Sequence, residues 1–381
     1  MCNHVKQTVG LLLCLLLAFS ALCGCGAGKQ PAGPALSDCA VQHEPEFGGV
    51  YIESTIDDFN ALGFSCGDSV TVAFSNGYTL NGLPYYNGYY TKNGEPLLVA
   101  YPGYPYIKVA INNGGDMWEV AGLKEGDTAR VTLDERGAYA DVQNARDIHY
   151  TDVRDDYASD AVFANFRSAK AGKLREGVLY RSASPCDNQH NRAPYTDALM
   201  KEAGVRFILN LSDNEEKIRK YLADPGFNSP YFLSLYEDGL VEPIALNMNY
   251  GSDDFRKKVA NGLIVMADYD VPYLTHCTEG KDRTGFICML LEAFCGATYD
   301  EIVADYMLTY RNYYGITKET DYGKYDTIVT GVLDPMIESL TEGEAVDVHI
   351  ADLSVYAERF LAKGGMSEDQ IALLKTKLTG E

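Results

Sequence analysis

Positive charge is scarce in this 381-residue chain: 32 Lys and Arg stand against 54 Asp and Glu, a formal net charge of −22. Binding along a nucleic-acid backbone needs a basic face, so nucleic acid is not an expected partner. Long apolar runs are equally few. Residues 9–22, VGLLLCLLLAFSAL, form one such run behind Lys6, and its 14 residues suit the h-region of a signal peptide but are too short to span a membrane. No later stretch reaches 18 apolar residues. The ten cysteines include no CxxC pair, which argues against a zinc site or a dense disulfide framework, and no metal or other cofactor is expected. What remains, 46% hydrophobic and 23% charged, is the composition of a packed globular protein rather than a coiled coil or a disordered chain.

The apolar run ends in Leu22-Cys23-Gly24-Cys25, which resembles a bacterial lipobox, with small Gly24 before the Cys that is lipidated. Residues 1–24 are therefore expected to be a lipoprotein signal peptide, and lipidated Cys25 would anchor the chain to the outer face of a membrane. This gives an extracytoplasmic location. Residues 25–46 are rich in Gly, Ala and Pro without an apolar period, and are predicted to be a tether.

From about 47 to 148 the chain reads as a small β-barrel or sandwich. SVTVAF (69–74), LLVAY (97–101), YIKVAI (106–111) and ARVTL (129–133) are short strand-like segments bounded by turn residues. Eight tyrosines lie between Tyr78 and Tyr106; strand packing accounts for most such clusters, and a ligand-binding surface is the alternative. Tyr85–Asn113 followed by GLKEGDTARV is similar to the carboxy-terminal barrel of the S-adenosylmethionine hydroxide adenosyltransferase and halogenase family. That resemblance implies a fold and no chemistry.

Residues 149–381 alternate strand-like runs, FILNL (207–211), PIALNM (243–248) and VPYLTHC (271–277), with helical periods near 196–203, 254–267, 285–295 and 298–310. The expected class is α/β, with three layers around a central, mostly parallel sheet. At the end of the last strand stands His276-Cys277-Thr278-Glu279-Gly280-Lys281-Asp282-Arg283-Thr284-Gly285. Five residues between Cys277 and Arg283, at a strand-to-helix turn, can curl so that successive backbone N–H groups converge on one tetrahedral anion. The same positive field favours the thiolate of Cys277, the form that attacks. Arg283 offers a planar fork to two phosphoryl oxygens. Gly280 permits close backbone approach, Thr278, Glu279 and Lys281 complete the cradle, and the Thr284 hydroxyl can donate to the sulfur. His276 is expected to orient the loop rather than to move protons.

The loop is similar to that of the cysteine-dependent protein tyrosine phosphatase superfamily, and within it to the secreted bacterial tyrosine and phosphoinositide phosphatases typified by mycobacterial protein tyrosine phosphatase B. Asn165-Phe166-Arg167, the run Leu174 to Ser182 (LREGVLYRS), Ala203 to Ser212 (AGVRFILNLS), Glu301 to Leu308 (EIVADYML) and the closing GGMSEDQIALLKTKL carry the resemblance over about residues 160–380. It implies a cysteine phosphatase fold and hydrolysis of phosphomonoesters, on phosphorylated peptides or phosphoinositides, through a phosphocysteine on Cys277.

Other branches of the superfamily place a general-acid Asp on the loop after the strand corresponding to PIALNM, where this chain has Asn247, Met248, Asn249 and Tyr250. The branch with KDR in its loop uses the in-loop Asp, which points to Asp282, with Asp253 second. Asn210-Leu211-Ser212-Asp213 departs from the family DLRS phrase and lacks its Arg. Arg167 and Arg181 read as structural ion-pair partners, and Cys186 as a possible resolving thiol. Residues 149–381 carry 24 basic and 38 acidic residues, which weighs against polyanionic inositides. A cysteine phytase-like enzyme, a phospho-ligand-binding pseudophosphatase and an adhesive surface lipoprotein are the alternatives.

Overall fold

In the computed structural model, which describes residues 33–45 and 47–381, the first half of the chain closes into a barrel. The signal-peptide segment and Cys25 lie outside the described residues. The strands are β1 (Ala35–Glu44), β2 (Gly49–Ile52), β3 (Ser69–Phe74), β4 (Thr79–Tyr86), β5 (Pro96–Val99), β6 (Ile107–Ile111) and β7 (Thr128–Glu135), in the closed order β1-β2-β6-β5-β4-β3-β7. Neighbours are antiparallel except β4 and β5. Val50, Ile52, Val70, Val72, Ile107, Val109 and Val131 alternate inward and are fully buried, as period-two patterning on a closed sheet requires. Helices α1 (Ile56–Ala61) and α2 (Met117–Ala121) cap the barrel, and α3 (Ala140–Arg146) leads out of it.

Two sequence expectations are corrected here. The predicted tether overlaps β1, which pairs with both β2 and β7. A register shift between Leu36 and Cys39 breaks the two-residue period, so Leu36, Cys39 and Val41 do not alternate in the sequence although they belong to one strand. PIALNM is not a strand. Pairing covers only Val241–Pro243, and Ala245 at φ +43° turns the chain into a loop.

The second half contains α4 (Asp160–Phe163), β8 (Arg167–Ser168), β9 (Leu179–Ser182), α5 (Ala193–Glu202), β10 (Phe207–Asn210), α6 (Glu215–Leu222), α7 (Pro230–Glu237), β11 (Val241–Pro243), α8 (Asp253–Ala267), β12 (Tyr273–His276), α9 (Asp282–Phe294) and α10 (Tyr299–Tyr314). It ends with α11 (Tyr322–Ile328), a π-helical turn over Val329–Leu333, α12 (Asp334–Leu340), α13 (Leu353–Lys363) and α14 (Glu368–Thr379). The sheet order is β11-β10-β12-β9-β8, parallel except at the β8 edge.

Side chains from each central strand divide between two apolar clusters. Leu179, Phe207, Leu209 and Tyr273 pack with residues of α8, α9 and α10, whereas Ile208 and Leu274 pack with Met200 of α5, Ile218 of α6 and Phe232 of α7. Helix α9 is buried from Thr284 to Phe294, as an almost wholly apolar helix must be. Among the described residues no helix is long and apolar enough to cross a membrane.

Candidate active site

The loop 277–281 joins the carboxyl end of β12 to the amino end of α9, the position at which open parallel sheets present ligands. Its carbonyl oxygens face into the protein. The Thr278 oxygen accepts from the Ser184 N–H at 3.1 Å, and the Glu279 oxygen from the Tyr313 hydroxyl at 2.7 Å. The Gly280 oxygen accepts from Asn165 Nδ2 at 3.1 Å and Arg181 Nη2 at 3.0 Å. With these carbonyls tied down on one side, the N–H groups of Thr278 through Arg283 find no acceptor among the described residues. The last of these open α9, whose first N–H groups have no partner within the helix, and those of the loop before it add to them, so that the six together suit an anion.

Glycine is required at the bend. Gly280 has φ +69°, and a Cβ there would stand 2.3 Å from the Ser182 carbonyl oxygen. Cys277 is 3% exposed at the base of the loop. Arg283 makes no ion pair among the described residues, and its Nη1 reaches only the Leu246 carbonyl, at 3.4 Å. Asp282 opens α9 with its side chain 46% exposed, 3.9 Å from Lys281 Nζ. Asp253, the second carboxylate considered from sequence, is 80% exposed and ion-paired to Arg256 at 3.0 Å.

Lys281 and Glu279 lie otherwise than a phosphate cradle built of side chains would place them. Lys281 Nζ pairs with Glu279 Oε2 at 2.9 Å and donates to the Tyr314 hydroxyl at 3.2 Å. Burial opposes the lysine charge, but Asp282 and Glu279 outweigh it and raise its pKa well above the ordinary value. Burial likewise opposes the Glu279 carboxylate, yet Lys281 and a 2.8 Å hydrogen bond from Tyr150 hold its pKa down. These side chains brace the loop, and what they offer an anion is their N–H groups.

Beneath the loop Arg181 pairs with Asp305 of α10 at 2.6 Å and Arg167 pairs with the same carboxylate at 2.9 Å, so both arginines are ion-pair partners. Burial alone would raise the Asp305 carboxyl; Arg167 and Arg181 reverse this and hold it down to about 2. Asn165, fully buried at φ +50°, donates to Gly280 and accepts from Arg167 at 2.7 Å and from Asn312 at 3.1 Å. The sequence phrases containing Asn165 and Arg181 are plain, but no local signal shows their convergence on the Gly280 carbonyl.

Burial, only partly offset by Asp213, pushes His276 down to about 4, so its imidazole is neutral near pH 7. It cannot act there as a proton-carrying cation, and its Nδ1 lies 3.4 Å from the Cys277 carbonyl. Thr284 is fully buried, with its hydroxyl unbonded among the described residues. Cys186 is a free, buried thiol 3.4 Å from Ser184 Oγ, and burial raises its pKa. Cys288 and Cys295, also free and buried, are each pushed up to about 12 by desolvation.

The arrangement brings a run of backbone N–H groups, the Cys277 sulfur, the Arg283 fork and the Asp282 carboxyl group together, a set that can hold a tetrahedral dianion. Residues 138–380 match the tyrosine phosphatase family. The tyrosine-protein phosphatase candidate H16_A0669 of Cupriavidus necator is 25% identical over 197 residues, which cover 47% of this chain and 69% of that protein. Among solved structures, an uncharacterized conserved protein of Thermotoga maritima is 23% identical over 25% of this chain and 35% of its own, with a TM-score of 0.22. The core catalytic domain of the PP-IP phosphatase SIW14 of S. cerevisiae is 16% identical over 47% of this chain and 91% of its own, with a TM-score of 0.26. The family match spans more than half the chain and contains the whole loop from Cys277 to Arg283: this protein belongs to the tyrosine phosphatase family and is a phosphatase.

Proposed function

We propose that the protein is an extracytoplasmic phosphatase, anchored by lipid on Cys25, that hydrolyses phosphomonoesters, phosphotyrosine foremost, through a phosphocysteine. The observation that carries this reading is the run of N–H groups from Thr278 to Arg283 that find no acceptor among the described residues, next to a buried cysteine and a guanidinium without an ion pair among those residues. In the first step the Cys277 sulfur attacks phosphorus, the bond from phosphorus to the ester oxygen breaks, and Asp282 delivers its proton to the departing alcohol or phenol. In the second step water attacks phosphorus, Asp282 takes up its proton, and the sulfur leaves as thiolate with release of phosphate. The N–H groups and Arg283 hold the three non-bridging oxygens throughout, where charge develops. A donor from Thr284 to the leaving sulfur completes the set.

The two apolar clusters flanking the sheet support the three-layer cysteine phosphatase fold, and the phrases quoted above support the secreted tyrosine and phosphoinositide branch. The barrel's likeness to the adenosyltransferase domain belongs to the same reading and gives it no chemistry of its own. Engagement of Lys281 with Glu279 favours a monoester on a peptide over a polyphosphorylated inositol.

The test is hydrolysis, with chelator present and under reducing conditions, of a phosphotyrosyl peptide, a phosphoseryl peptide, phosphatidylinositol phosphates and inositol hexakisphosphate. Wild type runs beside Cys277→Ser. Turnover that requires Cys277 and is fastest on phosphotyrosine is expected. No turnover on any substrate would replace the enzyme with a phospho-ligand-binding module.

A further inference from the structure

The barrel and the catalytic half meet at a cleft of about 660 Å³ that reaches the amino end of α9 at Asp282, the residue after the loop. The β4–β5 connection fixes one side: Asn93 Nδ2 donates to the Met248 carbonyl at 3.2 Å, within the loop that carries a general acid in other branches of the superfamily. Here that loop instead serves as a seat for the barrel. The opposite side is formed by the π-helical turn and α12, which contribute Val332 and Met336.

Two features distinguish the lining. The first is an aromatic face: the Tyr89 and Tyr104 hydroxyls are 3.0 Å apart, the Tyr101 and Tyr104 rings are 5.3 Å apart, and Tyr101 is 46% exposed. The second is charge. In a chain of net charge −22, the described residues that line the cleft include two cations, Lys92 and Arg146, and one carboxyl group, Asp282, which gives up its proton in the proposed reaction. Arg146, the last residue of α3, is half-buried, and its side chain makes no ion pair or hydrogen bond among the described residues. Its guanidinium lies over the Tyr90 ring, 5.0 Å from the centroid, a cation–π contact that leaves its charge in place.

We propose that this cleft is a peptide subsite in which Arg146 pairs with an acidic side chain flanking the phosphorylated residue while the Tyr89, Tyr101 and Tyr104 face packs against the adjoining peptide. The inference rests on the phosphatase reading above and adds the barrel as a recognition wall. A hydroxyl-bearing aromatic surface of tilted rings suits peptide side chains and backbone alike. A headgroup with several phosphates needs several free cations, and beyond Arg146 the described lining of the cleft offers only the exposed Lys92.

The experiment compares kcat/KM of the full chain on two phosphotyrosyl peptides, one flanked by Asp and Glu and one by Ser and Ala. Taking the ratio within each variant removes any effect of the folded fraction. Wild type is expected to prefer the acidic peptide. Arg146→Gln should reduce that preference about tenfold, through KM, the order of one charge-assisted hydrogen bond. Arg146→Lys should retain part of it and Arg146→Glu should invert it. Direct binding of both peptides to Cys277→Ser reads the same preference without turnover, so failure of the catalytic reading would leave the subsite measurable. An unchanged ratio in Arg146→Gln would overturn the proposal. So would an unchanged ratio with a selective loss of hydrolysis of phosphatidylinositol phosphate in vesicles, which would assign the cleft to a lipid headgroup.

Discussion

The barrel and the catalytic half both bury ionisable side chains, but to different ends. In the barrel Asp68 accepts from the Ser65 and Gly137 N–H groups and pairs with Arg136 at 2.9 Å, and Lys108 pairs with Glu44 between strands. Each stitches two nearby turns or strands. In the catalytic half Arg167, Arg181, Asp305 and Glu292 gather under one loop, and burial together with Asp305 raises the Glu292 pKa well above the ordinary carboxylate value. Buried ion pairs stabilise a fold little relative to well-packed apolar residues. A cluster that holds one carbonyl, that of Gly280, is better understood as fixing geometry, and the lesson is that this half keeps a costly polar core where position matters most.

The largest break in this comparison is expected at Arg283. Arg283→Lys keeps the charge but loses the fork, and kcat/KM should fall about 10³-fold with an unchanged Tm, measured by steady-state kinetics and thermal melting. Asp282→Asn should lower turnover of phosphopeptides about 10²–10³-fold and that of p-nitrophenyl phosphate much less, because its leaving group needs no proton. Equal losses on both substrates would remove Asp282 from the acid role.

The pH dependence of stability should differ between the halves. His276 has its folded pKa lowered to about 4 from the usual 6.5, so between these values the unfolded chain binds more protons. Its contribution is complete above pH 6.5 and is lost as pH falls toward 4, by roughly 3 kcal/mol. Urea titrations across this window should show that loss in wild type and a flatter profile in His276→Asn. Smallest in free energy is a pair of glycine substitutions. Gly82→Ala in the barrel, at φ +66° with open space around a Cβ, should cost about 1 kcal/mol and leave activity alone. Gly280→Ala should cost about 1–3 kcal/mol and also depress kcat, because the Ser182 carbonyl blocks its Cβ and the loop must shift.

Much of this architecture was legible in the sequence because its signals are local. SVTVAF coincides with β3, and the strand, loop and helix around Cys277 follow from an apolar run, a glycine and a second apolar run. Strand β1 was hidden by a bulge that shifts its period, and the PIALNM run was misleading because its loop residues Ile244, Leu246 and Met248 pack into the core of the catalytic half as strand residues would. Lys281 looked like a phosphate ligand because the sequence places a cation beside the cradle and does not show that Glu279 claims it. Asp305 and Arg146 reach the site through topology, from positions far along the chain from Cys277, and no local pattern announces such convergence.

The central claim, that Cys277 carries the phosphoryl group within a cradle of backbone N–H groups, is tested most directly by rapid quench of the full chain during turnover of a phosphotyrosyl peptide, followed by peptide mass spectrometry. The account predicts one phosphoryl group on Cys277 and none anywhere in Cys277→Ser. Turnover with the phosphoryl group on another residue, or undiminished turnover by Cys277→Ser, would contradict it.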